Sequence, residues 1–260
     1  MNARTFQLRL GLTIVAAIAA AALFASWLAP YDPDASSGNV LAGPSNIYLL
    51  GTDHLGRDVF SRLLFGARVS LVIGLSASAL GMAIGVPVGL LGGYLGGRIQ
   101  FTVVQVIDIL VSLPAIVMAL IVTAAVGASI SNLVIILALL KWPVIARIVL
   151  GQTLVIREQA FIEAARSIGC SPGRILFNHI APNIIGVLGA QFALTTSASI
   201  FTAASLSFLG LGLPPPAADW GGMVENGFEY MFMHPLLALA PGAAVTLTVL
   251  SFYLIGDSVK

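Results

Sequence analysis

The sequence predicts an all-α, polytopic membrane protein, and three observations predict it. Hydrophobic residues fill 58% of the 260 positions and charged residues only 9%, where a soluble domain carries roughly 45–50% and about 25%. The apolar residues fall in runs of about 20, the length at which a helix crosses a hydrocarbon core about 30 Å thick. Nearly all the charges gather between those runs, which excludes a single large soluble core. A formal net charge of +1 offers no basic excess for nucleic acid. The lone cysteine, Cys170, excludes an intramolecular disulfide framework.

Six spans embedded in the bilayer are expected, at about 10–28, 70–91, 102–126, 132–150, 184–206 and 236–255. The first also reads as a cleaved signal peptide, because Arg4 and Arg9 precede it and small residues follow. Its length, and Trp27 at interface depth, favour a retained helix. The chain then divides into 1–69, a span with a following extramembrane segment, and 70–257, a membrane core containing a charged loop at 151–183. Placing the N-terminus in the cytoplasm collects Arg4, Arg9, Arg98, Arg147, Arg157, Arg166, Arg174 and Lys260 on the inner face. Only Arg57, Arg62 and Arg68 then lie outside. The bias of basic residues towards the cytoplasm predicts that both termini are inside. Segments 29–69 and 207–235 are then external and 151–183 is internal.

In the second span Gly81, Gly85, Gly89 and Gly93 recur every fourth residue. That spacing puts them on one helix face, where small residues let another helix approach closely in lipid. Pro87 is expected to bend this helix. The fifth span is rich in hydroxyls. They can bond carbonyls of their own helix, and Thr195, Ser199 and Thr202 are also candidates to line a wet path. Two charges fall inside spans: Asp108 in the third and Lys141 in the fourth. A charge at the bilayer centre costs roughly 2.5–3.5 kcal/mol on the mildest scale, so each needs a partner or water. An intramembrane ion pair between Asp108 and either Arg147 or Lys141 is the expectation.

The loop 157–183 reads as two short helices with a corner. Residues 158–168 hold strong helix formers. Gly169 suits the left-handed conformation that ends a helix. Ser171 suits an N-cap and Pro172 the first helical position, and Pro182 bends the chain into the fifth span. Phe161, Ile162 and Ile168 are the apolar groups a protein partner would cover.

Glu163-Ala164-Ala165, then Gly169, then Pro182, resembles the EAA loop of binding-protein-dependent importer permeases. The sequence 50–62, LGTDHLGRDVFSR, resembles the segment after the first helix in the C-type subunit of dipeptide, oligopeptide and nickel permeases. So do Gly66-Ala-Arg-Val-Ser-Leu71, Leu206-Ser-Phe-Leu-Gly-Leu-Gly212, Pro214-Pro215 and Trp220-Gly221 at their own places in that subunit. The resemblance runs from Leu50 to the end. It departs at Ala181, where relatives carry Leu, and at Asn178, where they carry Arg.

The resemblance implies a six-helix permease of the type I ABC importer kind in the bacterial cytoplasmic membrane. Its cytoplasmic coupling-helix elbow would dock on a separate ATPase, with Glu163, Ala164, Ala165 and Gly169 at the contact. It further implies a second homologous permease, two ATP-binding subunits carrying ATP and Mg, and an external solute-binding protein. The cargo would be di- or oligopeptides, with nickel or glutathione as alternatives. No Gly-x-x-x-x-Gly-Lys-Ser/Thr phosphate loop occurs in the sequence, so no cofactor is expected on this chain and ATP hydrolysis would fall to partners. His54, His179 and His234 are scattered and form no metal motif. A transporter working without ATP would rest on Lys141 alone. An intramembrane protease would need paired catalytic groups that the spans lack.

Overall fold

A computed structural model of the chain describes residues 3–259. Lys260, counted above among the basic residues of one face, lies outside the described residues. The elements are α1 (Ala3–Leu23), α2 (Ala25–Leu28), α3 (Val59–Leu95), α4 (Gly97–Ser112), α5 (Ala115–Val126), α6 (Ile130–Arg157), α7 (Ala160–Ser167), α8 (Pro172–Ile175), α9 (Ile185–Leu206), α10 (Trp220–Phe228) and α11 (Leu236–Ser258). A π-turn (Leu176–Ile180) and a 3₁₀ turn (Ala181–Ile184) join α8 to α9, and a second π-turn (Ser207–Leu211) follows α9. No strand occurs among the described residues. Five helical stretches are long and apolar enough to cross a membrane, and α4 with α5 make a sixth, broken span.

The break corrects the expectation of one span over 102–126. The axes of α4 and α5 meet at 79°. Leu113 adopts φ −83°, ψ 133°, the extended conformation that a following proline, here Pro114, imposes on its predecessor. α3 is also longer than expected. It has 37 residues, about 55 Å at 1.5 Å per residue, and runs unbroken through Pro87. It starts early because the Asp58 carboxylate caps it, accepting from the Ser61 N–H at 2.7 Å.

α3 packs most extensively on α6. A Cβ at Gly85, Gly89 or Gly93 would stand 2.7 Å from Trp142 O, 2.6 Å from Ala146 O or 2.9 Å from Leu150 O. The glycine row therefore lies on every fourth carbonyl of α6, and a methyl group at these sites would force the two backbones apart. α11 packs on α9 and α1, with Gly256 against Ala190 O and Gly11 against Ser251 O. Both ends of the described chain thus come to the same end of the bundle as the 158–184 segment, here called the elbow end. Segments 29–58 and 207–235 form a cap at the other.

Candidate functional site

Three features could carry function: the elbow, the cap and a cleft between α6 and α9. The elbow is built locally. α7 has Glu163 in its first turn and Arg166 in its last, each complementing the helix dipole. It ends at Gly169, φ +81°. The Gly169 N–H donates to Arg166 O and the Cys170 N–H to Ala165 O, both at 3.0 Å, the paired closure of a Schellman turn. Ser171 Oγ then accepts from the Arg174 N–H at 3.4 Å and Pro172 opens α8.

One face of the elbow is a core. Ile162, Ile175 and Ile180 are fully buried with Ile145, Val149 and Ile184. This corrects the expectation that Ile162 is open to a partner: it sits on the inner face of α7, with Ala165 one turn on, 5% exposed. Phe161 (45% exposed), Ile168 (82%) and Phe177 (72%) form the outward crest. Phe177 was not singled out in the sequence, because the turn carrying it has no regular period. Glu163, Ala164, Gly169 and Pro182 are exposed, and Ala165 is not. The elbow is also tied to α3. Arg157 Nη1 donates to Gly93 O at 2.8 Å, and the Arg166 guanidinium lies 5.5 Å from the Tyr94 ring centre.

The cap is held by charge. Asp53 accepts from the Leu55 and Arg57 N–H groups and from Arg57 Nε at 2.7 Å. Arg62, 5% exposed, donates to Pro33 O at 2.9 Å, Pro216 O at 3.3 Å and Ala217 O at 3.5 Å. Its Nε stands 3.7 Å from Asp53. One guanidinium thereby joins three segments far apart in sequence. Trp220, 2% exposed, donates from Nε1 to Leu63 O at 2.9 Å. Asp219 caps α10 by accepting from the Gly222 N–H at 3.0 Å. Burial pushes its carboxyl above the usual carboxylate range, against bonds from Gly222, Ser207 and Gly221 and the charge of Arg62. Asp53, Arg57, Arg62 and Asp219 line a cavity of about 570 Å³ together with His54, Glu225 and Asn226.

The cleft, about 780 Å³, lies between a stripe of α6 (Lys141, Val144, Ile148, Gln152) and one of α9 with its preceding turn (Asn183, Gln191, Thr195, Ala198). Val259 lines it too, so it extends to the elbow end. Of the hydroxyls expected to line a path, Thr195 lines this cleft. Thr202 donates to Ala198 O at 2.7 Å and accepts from Lys141 Nζ at 3.4 Å. Ser199 is fully buried, its Oγ has no hydrogen-bond partner among the described residues, and it does not line the cleft. Arg147 Nη2 pairs with Asp108 Oδ1, both side chains half exposed, and Lys141 takes no part in that pair. Among the described residues no group of three or more His, Cys, Asp or Glu side chains forms a metal site.

A bundle of helices long and apolar enough to cross a membrane, one of them broken, with a projecting elbow, defines the class as a polytopic α-helical membrane protein. The family model described as binding-protein-dependent transport system inner membrane component matches residues 85–260. A second, described as the N-terminal TM domain of oligopeptide transport permease C, matches residues 9–44. Among curated relatives, the glutathione transport system permease protein GsiD of Shigella flexneri is 45% identical over 92% of this chain and 80% of its own length. That of Salmonella typhimurium is 45% identical over 95% and 82%. The fold is shared with a chain of the MetNI methionine ABC transporter in an inward-facing conformation. The TM-score there is 0.65 at 20% identity, over 76% of this chain and 94% of the other. The chain belongs to the binding-protein-dependent inner membrane component family and is an ABC importer permease.

Proposed function

We propose that this chain is one half of the membrane path of an importer for peptides of two or more residues or for glutathione. In this reading the elbow transmits ATP-driven closure of partner subunits to the helices. The observation that carries it is the elbow: a rigid two-helix corner whose buried face is complete and whose crest of Phe161, Ile168 and Phe177 is bare. Such a crest at a bundle end suits a groove on another protein. The partners are a second, homologous permease, two ATP-binding subunits that hold ATP and Mg, and an external solute-binding protein. No phosphate-loop sequence occurs in the chain, so its role is transport and hydrolysis belongs to those partners.

The elbow end faces the cytoplasm, with both termini, in this reading. The arginines of the cap are each engaged internally. Arg57 pairs with Asp53, Arg62 with Asp53 and carbonyls, and Arg68 with Ala22 O and Leu23 O. The side chains of Arg98 and Arg174 at the elbow end pair with no carboxylate among the described residues. Free basic groups favour the cytoplasmic side. The Asp108–Arg147 pair would fix α4 against α6. The cargo assignment is supported by the names of the relatives.

The test is recovery of the chain from its membrane in mild detergent, with mass spectrometry of what accompanies it. A second permease and phosphate-loop ATPases are expected. Replacing Ile168 and Phe177 together by Asp is expected to reduce ATPase recovery while the permease pair persists. Recovery of the chain alone, still moving solute without ATP, would overturn the reading. Unchanged ATPase recovery in the double variant would remove the crest as the docking surface.

A further inference from the structure

The α6–α9 cleft has a one-sided chemistry. Lys141 is the lining residue of α6 farthest from the elbow end, and Gln152 the nearest. The stretch between them spans about 16 Å at 1.5 Å per residue, roughly half a hydrocarbon core. The polar groups on the walls are amides and a hydroxyl: Gln152, Asn183, Gln191 and Thr195. Among the described residues no acidic side chain lines it. Among the described residues, the Lys141 ammonium makes one hydrogen bond, the 3.4 Å contact with Thr202 Oγ1, at the weak end of the range. No carboxylate lies within 4.0 Å of it among the described residues. Asp108, the acid expected from the sequence as a partner, is engaged by Arg147 instead. An ammonium at bilayer depth without a counter-charge is costly and marks a functional position. Its low-dielectric walls also focus its field on the space in front of it.

We infer that the deep end of this cleft is an anion subsite, in which Lys141 receives a carboxylate of the transported solute. Gln152, Asn183, Gln191 and Thr195 supply the neutral hydrogen-bonding walls along which that solute leaves towards the elbow end. The inference deepens the importer reading and rests on it for the identity of the solute. A volume of about 780 Å³ falls within the range, roughly 300–1,000 Å³, of sites that enclose small organic molecules. Peptides and glutathione both carry carboxylates. A bare divalent cation would be repelled, so the subsite selects against nickel as cargo.

The first experiment needs no cargo. In the assembled complex with Cys170→Ser, Val144→Cys places a thiol on the cleft wall one turn from Lys141. Anionic sulfonatoethyl and cationic trimethylammonioethyl methanethiosulfonates are applied, and their rates are scaled to those with a free thiol. The anionic reagent is expected to be favoured about tenfold, the lower end of field focusing in a charged cleft. Lys141→Met should abolish the preference and Lys141→Arg should keep it. Labelling by the cationic reagent beside Lys141→Met separates loss of charge from loss of fold. A preference unchanged by Lys141→Met, or no labelling by either reagent, overturns the subsite.

The second experiment measures uptake of trialanine and of glutathione into proteoliposomes holding the whole importer. Lys141→Met should lower uptake of whichever is carried by about tenfold, with Lys141→Arg retaining it. Normal uptake in Lys141→Met overturns the assignment of the anion as cargo. If the unsubstituted importer carries neither, the cargo reading fails, and the labelling result stands or falls by itself.

Discussion

The cap and the elbow treat their arginines in opposite ways. In the cap, Arg57, Arg62 and Arg68 all find acids or carbonyls within the chain, and Trp220 is sealed against Leu63. At the elbow end, the side chains of Arg98 and Arg174 pair with no carboxylate among the described residues, and Phe161, Ile168 and Phe177 stand open. The elbow nevertheless has a core as dry as any in the molecule, with Ile162, Ile175 and Ile180 fully buried. Its openness is therefore not looseness. Both ends bare apolar side chains, Phe232 and Met233 in the cap and Ile168 and Phe177 at the elbow, so the difference between them lies in how their basic groups are engaged.

The contrast breaks most visibly at Arg62. Arg62→Ala leaves the Pro33, Pro216 and Ala217 carbonyls unanswered while Asp53 keeps Arg57, at a cost of about 1–3 kcal/mol for each carbonyl that stays dry. A clear fall in the thermal midpoint of the purified complex is expected. A midpoint equal to the unsubstituted one would mean that the cap is not closed by this residue. At Gly169 the expected loss is smaller and local. A Cβ there meets nothing within 4 Å, so Gly169→Val tests the positive φ alone, at about 1–3 kcal/mol. ATP-driven uptake should drop with the thermal midpoint nearly unchanged. Gly169→Asn, which tolerates that conformation, should keep uptake. Equal uptake in Val and Asn variants would show that the corner has no role in coupling.

Asp219 gives the smallest effect. Its carboxyl is raised by burial in the folded cap, so the protonated form is the one that folding favours. Its stabilising contribution is full below the ordinary carboxylate value, about 3.9, and is lost as pH rises through the raised value. Asp219→Asn retains a capping side chain and should remove this slope. Thermal midpoints measured from acid to neutral pH should decline more for the unsubstituted protein, and parallel profiles would refute the assignment.

The bundle was largely legible because lipid demands long apolar helices, and the glycine row announced a close contact through its four-residue period. The corner at Gly169 was legible for a local reason: its cap residues are neighbours in sequence. The break at Leu113–Pro114 carried a signal, the restriction of the residue before proline, that hydropathy outweighed. Ile162 was misplaced because α7 has eight residues, too few for periodicity to separate its two apolar sides. The Arg62 network had no readable trace. It joins Pro33, Asp53 and Pro216, and nothing in the spacing of those residues says they meet. The partner of Asp108 was narrowed to two cations, and only the side-chain positions select Arg147.

The glycine row has a mechanical side. Because Gly85, Gly89 and Gly93 of α3 lie against α6 carbonyls and the β-branched side chains of Ile145, Val149 and Thr153, which are stiff at χ1, little in the joint can give, and the two helices form one stiff beam. That beam begins in the cap at Asp58 and is fastened to the elbow through Arg157 and Gly93. Over the roughly 55 Å of α3, a tilt of about 5° about one end displaces the other by roughly 5 Å. A push of a few degrees at one membrane face therefore arrives at the opposite face as a displacement the size of a side chain.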